Sequence, residues 1–300
     1  MTASRATPSS AEPNFTTRIS RFAPSPTGRL HLGHAFSALA AHDLARAGGG
    51  QFLLRIEDID PTRARQAHVD GIVADLGWLG LSWDGPVVRQ SQRLAVYATA
   101  LDRLKALGLA YPCFCTRAEI AASAAAPQGP AGPVYPGTCR HLPAAERTQR
   151  MAGTPHAWRL DMAAAVARTG PLSWHDHGAG WVAADPAAHG DVVIARKDAP
   201  VSYHLAVSVD DAAQGVNSIV RGTDLFATTD IHRLLQALLG LPTPAYFHHP
   251  LLVDAAGRRL AKRDGARALA DLRAAGADPA ALVAELRAMR EALGFVLPSA

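Results

Sequence analysis

One stretch near the start of the chain decides the fold: Arg21-Phe22-Ala23-Pro24-Ser25-Pro26-Thr27-Gly28-Arg29-Leu30-His31-Leu32-Gly33-His34. Its order is typical of a strand end, a turn containing two prolines and a glycine, and a helix start. A helix that begins near Leu32 leaves its first backbone N–H groups unpaired, with the positive end of the helix dipole behind them. The stretch therefore predicts an anion site, and phosphate is the anion that this arrangement favours.

Two histidines at the start of the predicted helix bear on this phosphate site. His31 and His34 are three residues apart, so they share a helix face and can direct imidazole N–H groups at one phosphate. Gly33 between them lets a nucleotide lie against bare backbone. Taken alone, the pair is better explained as two solvated histidines at a helix N-terminus. The preceding turn between strand and helix, where open α/β sheets bind ligands, favours the nucleotide site.

The residues that follow predict a βαβ unit. A strand is expected over residues 18–24, a helix over Leu32–Ala47 that ends at three glycines, and a buried strand over Gln51–Ile56. Strand, helix and strand within about forty residues imply parallel pairing and a right-handed crossover. The predicted fold class is therefore α/β with a parallel sheet.

The composition indicates a globular protein with a sizeable core. The chain has 300 residues, 48% of them hydrophobic, which suits one large or two ordinary domains. Apolar runs stay short of the roughly 20 residues of a membrane-spanning helix, and residues 1–17 are typical of a disordered tail. Three cysteines are too few for a disulfide framework, which favours the cytoplasm. The net charge of +4 permits a nucleic-acid partner without requiring one.

Acidic residues follow the second predicted strand, in the segment Glu57-Asp58-Ile59-Asp60-Pro61. Ligands of open α/β sheets bind at the carboxyl ends of the strands, so these carboxylates are candidates for binding a substrate ammonium. Asp58 and Asp60 are equally well explained as caps of a helix from Thr62 onward. Glu57 lies closest to the strand end and is the strongest candidate.

The second half of the chain places an arginine at the end of a predicted buried strand. Arg221 stands beside Gly222, where a charge is costly unless it is paired. Its partner is either a substrate carboxylate or one of Asp211 and Asp224, and the sequence does not choose. The elements expected around it are a loop at residues 174–177, strands over 201–211 and 219–225, and a helix over Thr229–Leu239.

A Cys-x-Cys pair and a third cysteine indicate a metal site. Cys113 and Cys115 form a tight pair, and Cys139 follows a loop rich in alanine, glycine and proline. Three converging thiolates suit a structural Zn²⁺, which would stabilise a segment whose own core is thin. The alternative is three free thiols. The fourth ligand stays open between His141, the ordinary chemical choice, and Tyr135.

Four motifs in order resemble the catalytic core of class I glutamyl-tRNA synthetases, over residues 18–264. They include counterparts of the "HIGH" signature and of the "KMSKS" lysine loop of that family. The motifs are Arg21-Phe22-Ala23-Pro24-Ser25-Pro26-Thr27-Gly28 with His31-Leu32-Gly33-His34, then Arg55-Ile56-Glu57-Asp58-Ile59-Asp60-Pro61, then Val220-Arg221-Gly222-Thr223-Asp224-Leu225, and Arg259-Leu260-Ala261-Lys262-Arg263.

The resemblance implies a Rossmann-like catalytic domain in two halves, with an inserted zinc-bearing α+β subdomain. The halves would cover residues 18–110 and 191–240, and the insert 111–190. Residues 241–300 would supply the lysine loop and a short helical tail. Because few residues follow Lys262, an anticodon-binding domain like that of the full-length enzymes is not expected.

The resemblance also implies roles for single residues. Those expected in a glutamate pocket are Arg21, Phe22, Ala23, Pro24, Ser25, Glu57, Tyr203 and Arg221. Those expected at the ATP phosphates are His31, Gly33, His34 and Lys262, of which the two histidines and the lysine would be catalytic, with Mg²⁺ on the phosphates. The implied zinc ligands are Cys113, Cys115, Tyr135 and Cys139.

Within the family, the chain is most similar to short paralogues that activate L-glutamate with ATP without tRNA and attach it to queuosine in the anticodon of tRNA(Asp). The expected partners are then ATP, L-glutamate and queuosine-bearing tRNA(Asp), and the expected protein is a monomeric cytoplasmic ligase that contacts no membrane. The lysine loop departs from the family pattern by keeping one lysine and neither serine. His34 departs too, since short paralogues often have serine there. The alternatives are a nucleotidyl transferase with a non-tRNA acceptor and a zinc-bearing RNA-binding module.

Overall fold

The computed structural model describes residues 13, 15–122, 128–130, 132–253 and 267–298. Lys262 and the rest of the expected lysine loop lie outside these residues, so their placement stays a prediction. The strands are β1 Ile19–Phe22, β2 Gln51–Ile56, β3 Val88–Arg89, β4 Ala110–Cys113, β5 Gln128–Gly129, β6 Gly132–Pro133, β7 Ala157–Leu160, β8 Ser173–Asp176, β9 Gly180–Ala183, β10 Val193–Ala195, β11 Ser218–Gly222 and β12 Ala245–His249. The helices are α1 Leu32–Ala47, α2 Gln66–Trp78, α3 Leu94–Ala106, α4 Arg117–Ala122, α5 Ala144–Gly153, α6 Met162–Thr169, α7 Tyr203–Ala213, α8 Thr229–Leu239, α9 Leu269–Ala274 and α10 Pro279–Ala292.

Parallel strands form the centre of the molecule, as the βαβ pattern predicts. β1 pairs with β2 and β2 with β3, while β11 pairs with β12 and β12 with β8, all in parallel. The two sets meet where Ile19 of β1 exchanges two hydrogen bonds, of 2.9 and 3.1 Å, with Asn217 just before β11. The strands β1, β2 and β11 therefore end at one edge, which is where open α/β sheets bind ligands.

Helix α1 has the predicted bounds and packs against β1, β2 and β11. Phe36, Leu39 and Leu44 are fully or almost fully buried on its inner side. Gly50, after the helix, brings the chain so close to β1 that an added Cβ would lie 1.9 Å from the carbonyl oxygen of Arg18. Glycine is required at this return because any side chain would collide with backbone.

A second sheet is antiparallel and has the strand order β10, β7, β4. It does not coincide with the range 111–190 predicted for the insert, because β10 spans Val193–Ala195. Buried side chains of α3, α6, α7 and α8 form one apolar cluster with this sheet.

Residues 201–211 form mainly a helix, so the strand expected there is wrong. Ser202 caps α7 by accepting a hydrogen bond from the N–H of Leu205 at 3.4 Å. Every residue from Leu205 to Asp211 is buried. A helix that is buried on nearly all sides has no long polar face, and its apolar run therefore resembles that of a buried strand.

The loop expected at residues 174–177 is also wrong, because most of it is strand β8. Trp174 is fully buried, and Tyr246 of β12 lies in register with Asp176. A loop was expected because the segment is polar. In the structure its polar groups have buried hydrogen-bond partners, such as His248 at 2.7 Å from the Asp176 carboxylate, and a polar segment can therefore form a buried strand. Although it lies within the range predicted for the insert, β8 belongs to the sheet of β11 and β12.

Most of the described residues from 267 to 298 are helical, and α10 packs on α1. Asp43 of α1 joins the two helices by accepting hydrogen bonds from Arg287 at 2.8 and 3.0 Å and from Arg290 at 2.8 Å. Across the described residues, every helix is too short or too polar to cross a membrane.

Candidate active site

A cavity of about 340 Å³ lies at the edge where β1, β2 and β11 end. Each described residue that the sequence assigns to the amino-acid or phosphate site lines it. These residues are Arg21, Phe22, Ala23, Pro24, Ser25, His31, Gly33, His34, Glu57, Tyr203 and Arg221. The structure thus brings together side chains that are up to 200 positions apart in the sequence, while their roles remain predictions.

The two histidines at the start of α1 cap the helix. The Nδ1 of His31 accepts the N–H of Gly33, and the Nδ1 of His34 accepts the N–H of His31, both at 3.2 Å. The expectation of unpaired N–H groups is therefore wrong for Gly33. Because each Nδ1 is an acceptor, a neutral ring carries its proton on Nε2. The Nε2–H groups, rather than the Gly33 backbone, are then the groups that are able to donate to an anion in the cavity.

Arg21 reaches the cavity from β1 but is already paired with a buried carboxylate. Its Nε and Nη2 donate to Asp211 of α7 at 2.9 and 3.4 Å. Arg55, fully buried on β2, donates to the same carboxylate at 2.8 Å. Burial acts to raise the pKa of Asp211, but the two arginines outweigh it and hold the pKa below its ordinary value. Asp211, one of the partners left open for Arg221, thus serves Arg21 and Arg55.

Glu57 is a nearly buried carboxylate directly after β2. Its backbone N–H donates to the carbonyl of Pro24 at 3.0 Å, which ties the end of β2 to the loop after β1. Its side chain is 8% exposed and lies 3.4 Å from Arg55. Burial raises the pKa of Glu57, and Arg55 and Arg21 oppose this rise without cancelling it. An ammonium group in the cavity would favour the ionised carboxylate and be bound by it.

Arg221 is held by neutral acceptors. Its Nε donates to His248 Nε2 at 3.0 Å, its Nη1 lies 3.1 Å from His232 Nδ1, and its Nη2 donates to the Thr229 hydroxyl at 2.6 Å. Among the described residues, Arg221 forms no ion pair with a protein carboxylate, although it is 5% exposed. The sequence left either a substrate carboxylate or a protein aspartate as the partner of Arg221, and the structure favours the substrate carboxylate.

Residues 18–292 match the family model described as tRNA synthetases class I (E and Q), catalytic domain. The chain is 53% identical over 272 residues to a Rhodobacter capsulatus protein named glutamyl-Q tRNA(Asp) synthetase, a match that covers 87% of this chain and 97% of that protein. A Nocardia farcinica protein of the same name is 50% identical over 89% of this chain and 82% of its own length. The chain belongs to the glutamyl-Q tRNA(Asp) synthetase family. It is therefore a ligase enzyme.

The fold of this glutamyl-Q tRNA(Asp) synthetase family member is similar to that of longer enzymes. The glutamate tRNA ligase of Elizabethkingia meningosepticum, solved in complex with its amino acid, matches with a TM-score of 0.70 and 29% identity. The match covers 83% of this chain and 52% of the ligase, so the chain spans about half the length of that enzyme. The methionyl-tRNA synthetase of Mycobacterium tuberculosis, at 12% identity and a TM-score of 0.51, shares the fold alone.

Three thiols of this family member form a cluster at the end of β4 and in the segment that follows it. The sulfur atoms of Cys113, Cys115 and Cys139 lie within 4.8 Å of one another. The hydroxyl of Tyr135 lies 3.5 Å from the Cys115 sulfur and accepts the N–H of Cys139 at 2.9 Å. In the part of the chain that the structure describes, the cluster includes no histidine, and His141 is exposed. The structure thus places Tyr135, and not His141, beside the three sulfur atoms, and this donor set suits Zn²⁺.

The remaining carboxylates after β2 have structural partners. Asp58 accepts hydrogen bonds from the N–H and the hydroxyl of Ser91, each at 2.8 Å, and from Arg89 at 3.0 Å. Asp60 accepts the N–H of Thr62 at 3.1 Å, as a cap does. The helix from Thr62 onward that both aspartates were expected to cap is wrong, because the next helix, α2, begins at Gln66 and residues 61–63 form a turn. Asp58 binds the segment before α3, and Asp60 binds within the turn.

A second cavity of about 940 Å³ adjoins the first, and Tyr203 lines both. Its walls include Cys115 from the thiol cluster, His204 next to Tyr203, and the basic side chains of Arg63 and Lys197. No motif in the sequence indicated this cavity, because its walls come from segments that are distant along the chain.

Sequence reasoning also missed His232 and His248, the two imidazoles on Arg221. His248 lies on β12 and His232 on α8, and both are buried. A histidine within an apolar strand or on the inner side of a helix is a pattern that could have indicated these two residues. The pattern does not show which group the imidazole ring contacts.

Proposed function

We propose that this enzyme activates L-glutamate with ATP to form glutamyl-adenylate, without tRNA, and transfers the glutamate to queuosine in the anticodon of tRNA(Asp). The observation that carries the first step is the single 340 Å³ cavity in which a carboxylate, an arginine without a protein counter-ion among the described residues, and two histidines converge. The names of the Rhodobacter and Nocardia relatives support the acceptor.

The substrate is bound through its charges in this proposal. Glu57 binds the α-ammonium. Arg221 has four of its five N–H groups in hydrogen bonds to neutral acceptors, one of them the Leu225 carbonyl at 3.2 Å, and it binds a carboxylate of glutamate through its remaining N–H and its positive charge. Arg21 has three of its five N–H donors in hydrogen bonds to Asp211 and to the Val220 carbonyl. It therefore shapes the pocket as a paired cation and has fewer donors for a substrate than the sequence suggested.

Adenylation then joins the two substrates. A glutamate carboxylate oxygen attacks the α-phosphorus of ATP, a new P–O bond forms, and the bond to the departing pyrophosphate breaks. His31 and His34 supply Nε2–H donors to the phosphate oxygens, on which negative charge accumulates during the step. The Pro/Gly loop between Arg21 and His31 sets the distance over which carboxylate and phosphorus meet. Mg²⁺ is expected to be held by the ATP phosphates, where it supplies positive charge.

Lys262 completes the phosphate site in this proposal. It lies outside the described residues, and its role is supported by its place in the lysine-loop motif. A lysine supplies a compact, mobile positive charge, which suits a group that follows the departing pyrophosphate.

The transfer step uses the acceptor nucleoside. A hydroxyl oxygen of queuosine attacks the carbonyl carbon of the adenylate and forms an ester bond. The bond from that carbon to the phosphate oxygen breaks, AMP leaves, and the hydroxyl proton is released to solvent. The 940 Å³ cavity next to Tyr203 is large enough for a nucleoside to approach the adenylate. Sequence-specific RNA recognition usually targets unpaired loop bases, which is consistent with an anticodon acceptor.

The thiol cluster is proposed as a structural zinc site with Cys113, Cys115, Cys139 and Tyr135 as ligands. Zn²⁺ held there would fix the segment after β4 against the rest of the insert. This role requires neither solvent access nor an open coordination position.

Isotope exchange between ATP and pyrophosphate tests the first step. Exchange that depends on glutamate and proceeds without tRNA is expected, and Lys262→Ala is expected to abolish it while leaving the fold and the zinc content unchanged. Protein without such exchange would refute the adenylation proposal.

Transfer of labelled glutamate tests the acceptor. Label is expected in tRNA(Asp) that carries queuosine, and not in the same tRNA prepared without queuosine. Label at the 3′ end of tRNA(Glu) would refute the proposed acceptor. Label in a small-molecule acceptor would favour a nucleotidyl transferase.

A further inference from the structure

Arg221 lies in the middle of a chain of buried hydrogen bonds that leads away from the cavity on two sides. On one side, His248 joins it to Asp176 of β8, with 3.0 Å from Arg221 Nε to His248 Nε2 and 2.7 Å from His248 Nδ1 to the carboxylate. On the other side, His232 joins it to His204, with 3.1 Å from Arg221 Nη1 to His232 Nδ1 and 3.1 Å from His232 Nε2 to His204 Nδ1.

Arg221 decides where the protons of both histidines lie. A guanidinium has five N–H donors and no acceptor, and it keeps its charge in proteins. The nitrogens that face it, Nε2 of His248 and Nδ1 of His232, must therefore be unprotonated. His248 then carries its proton on Nδ1 and donates to Asp176, while His232 carries its proton on Nε2 and donates to His204. Both rings are neutral.

The surroundings of the two rings favour the same neutral state. Burial lowers the pKa of His232 well below its ordinary value, and Arg221 and His204 lower it further. Burial also lowers the pKa of His248, although the Asp176 carboxylate acts in the opposite direction. That carboxylate is satisfied by other donors as well, since it accepts the N–H groups of Gly178 and Ala179, each at 3.0 Å.

We infer that His232 and His248 are positioning residues of the glutamate site, which orient the Arg221 guanidinium as uncharged acceptors and so leave its positive charge for a substrate carboxylate. The inference rests on the proposed function. Arg21 shows the contrast within the same cavity: a carboxylate, Asp211, orients it and also offsets its charge. An acidic residue in the place of either histidine would hold Arg221 as firmly, but it would weaken the attraction for an anionic substrate.

Kinetics of four variants test the positioning role. His232→Leu and His248→Leu remove an acceptor, whereas His232→Asn and His248→Gln keep a polar atom near the nitrogen that faces Arg221. In glutamate-dependent ATP–pyrophosphate exchange, each leucine variant is expected to raise the KM for glutamate about tenfold, the usual effect of losing one charged hydrogen bond. The KM for ATP is expected to stay unchanged, and the amide variants are expected to recover most of the loss.

Two further measurements separate positioning from a general structural role. The preference for glutamate over glutamine is expected to fall in the leucine variants, because a displaced guanidinium distinguishes a carboxylate from an amide less well. His42→Leu makes the same change at a half-buried histidine outside the cavity and is expected to leave both KM values unchanged. An equal rise in the KM for glutamate and for ATP, or no rise for glutamate, would overturn the inference.

Imidazole ¹⁵N NMR of the unsubstituted protein at pH 7 tests the proton positions independently of activity. The expected spectrum has His248 protonated on Nδ1 and His232 on Nε2. A cationic ring or the opposite tautomer at either position would overturn the inference even in a fully active enzyme. A third outcome is a protein that shows the expected tautomers but no glutamate-dependent exchange. That result would overturn the proposed function and the role of the histidines in glutamate binding, while the hydrogen-bond chain would stand.

Discussion

Replacement of Asp211 by asparagine is expected to destabilise the enzyme strongly, because one carboxylate holds two buried arginines. Asp211 accepts hydrogen bonds from Arg21 at 2.9 Å and from Arg55 at 2.8 Å, and its side chain is 6% exposed. Asparagine has nearly the same shape but no charge. The substitution therefore tests the charge of the residue while leaving its volume almost unchanged.

The size of the loss follows from what remains around the two arginines. Removing one partner of a buried ion pair costs about 3–5 kcal/mol, because the other charge stays buried without compensation. Arg55 keeps Glu57 at 3.4 Å and Asp210 at 3.9 Å, and asparagine keeps one acceptor oxygen. We therefore expect the lower end of that range, about 3 kcal/mol, in the free energy of unfolding.

Urea unfolding at pH 7, followed by tryptophan fluorescence, measures this loss, and Asp271→Asn is the matched control. Asp271 pairs with Arg29 on the surface, where the two side chains are 52% and 49% exposed, so the control is expected to lose less than about 1 kcal/mol. A loss under about 1 kcal/mol for Asp211→Asn as well would refute the view that burial makes this pair important.

The pH dependence of the same measurement provides a second check. The pKa of Asp211 is lower in the folded enzyme than in the unfolded chain, so its contribution to stability is complete above the unfolded pKa of about 3.9. The contribution is lost as the pH falls through the lower folded pKa. The difference in stability between the unsubstituted protein and Asp211→Asn is therefore expected to shrink in acid. A difference that grows as the pH falls would contradict the assigned pKa shift.

Three further predictions concern other parts of the molecule. Glu57→Gln is expected to raise the KM for glutamate by about ten- to a hundredfold in the exchange assay with little change in the KM for ATP, because it removes a charged partner of the ammonium; an unchanged KM would exclude that role. Cys139→Ser is expected to reduce bound zinc, measured by elemental analysis, and to lower the melting temperature while exchange continues at 25 °C; full zinc content would show that the thiol is not a ligand. Asp43→Asn is expected to destabilise the contact of α10 with α1 by about 1–2 kcal/mol and to speed amide hydrogen exchange in α10 ahead of α1, whereas equal exchange rates would mean that apolar packing alone holds α10.

The local structure of residues 21–34 could be predicted from the sequence. The strand, turn and helix around residues 21–34 are set by prolines, glycines and the helical spacing of apolar residues, and these act over a few positions. The same reasoning failed for α7 and β8. The polar side chains of β8 find hydrogen-bond partners that are distant along the chain, so its polarity did not indicate a strand. Helix α7 is buried on nearly all sides, so its apolar residues show no helical period. Tertiary contacts therefore determine both elements.

The residues that the proposed chemistry uses could be named from the amino-acid sequence: the two histidines of α1, Glu57, Arg221 and the three cysteines. Their buried partners could not, because these partners are brought together by folding. Helix α7 places Asp211 2.9 Å from Arg21, while Arg221 meets two neutral rings from β12 and α8. Arg21 and Arg221 therefore differ in the positive charge that they offer to a substrate. The electric field at a buried cation depends on neighbours that are distant along the sequence.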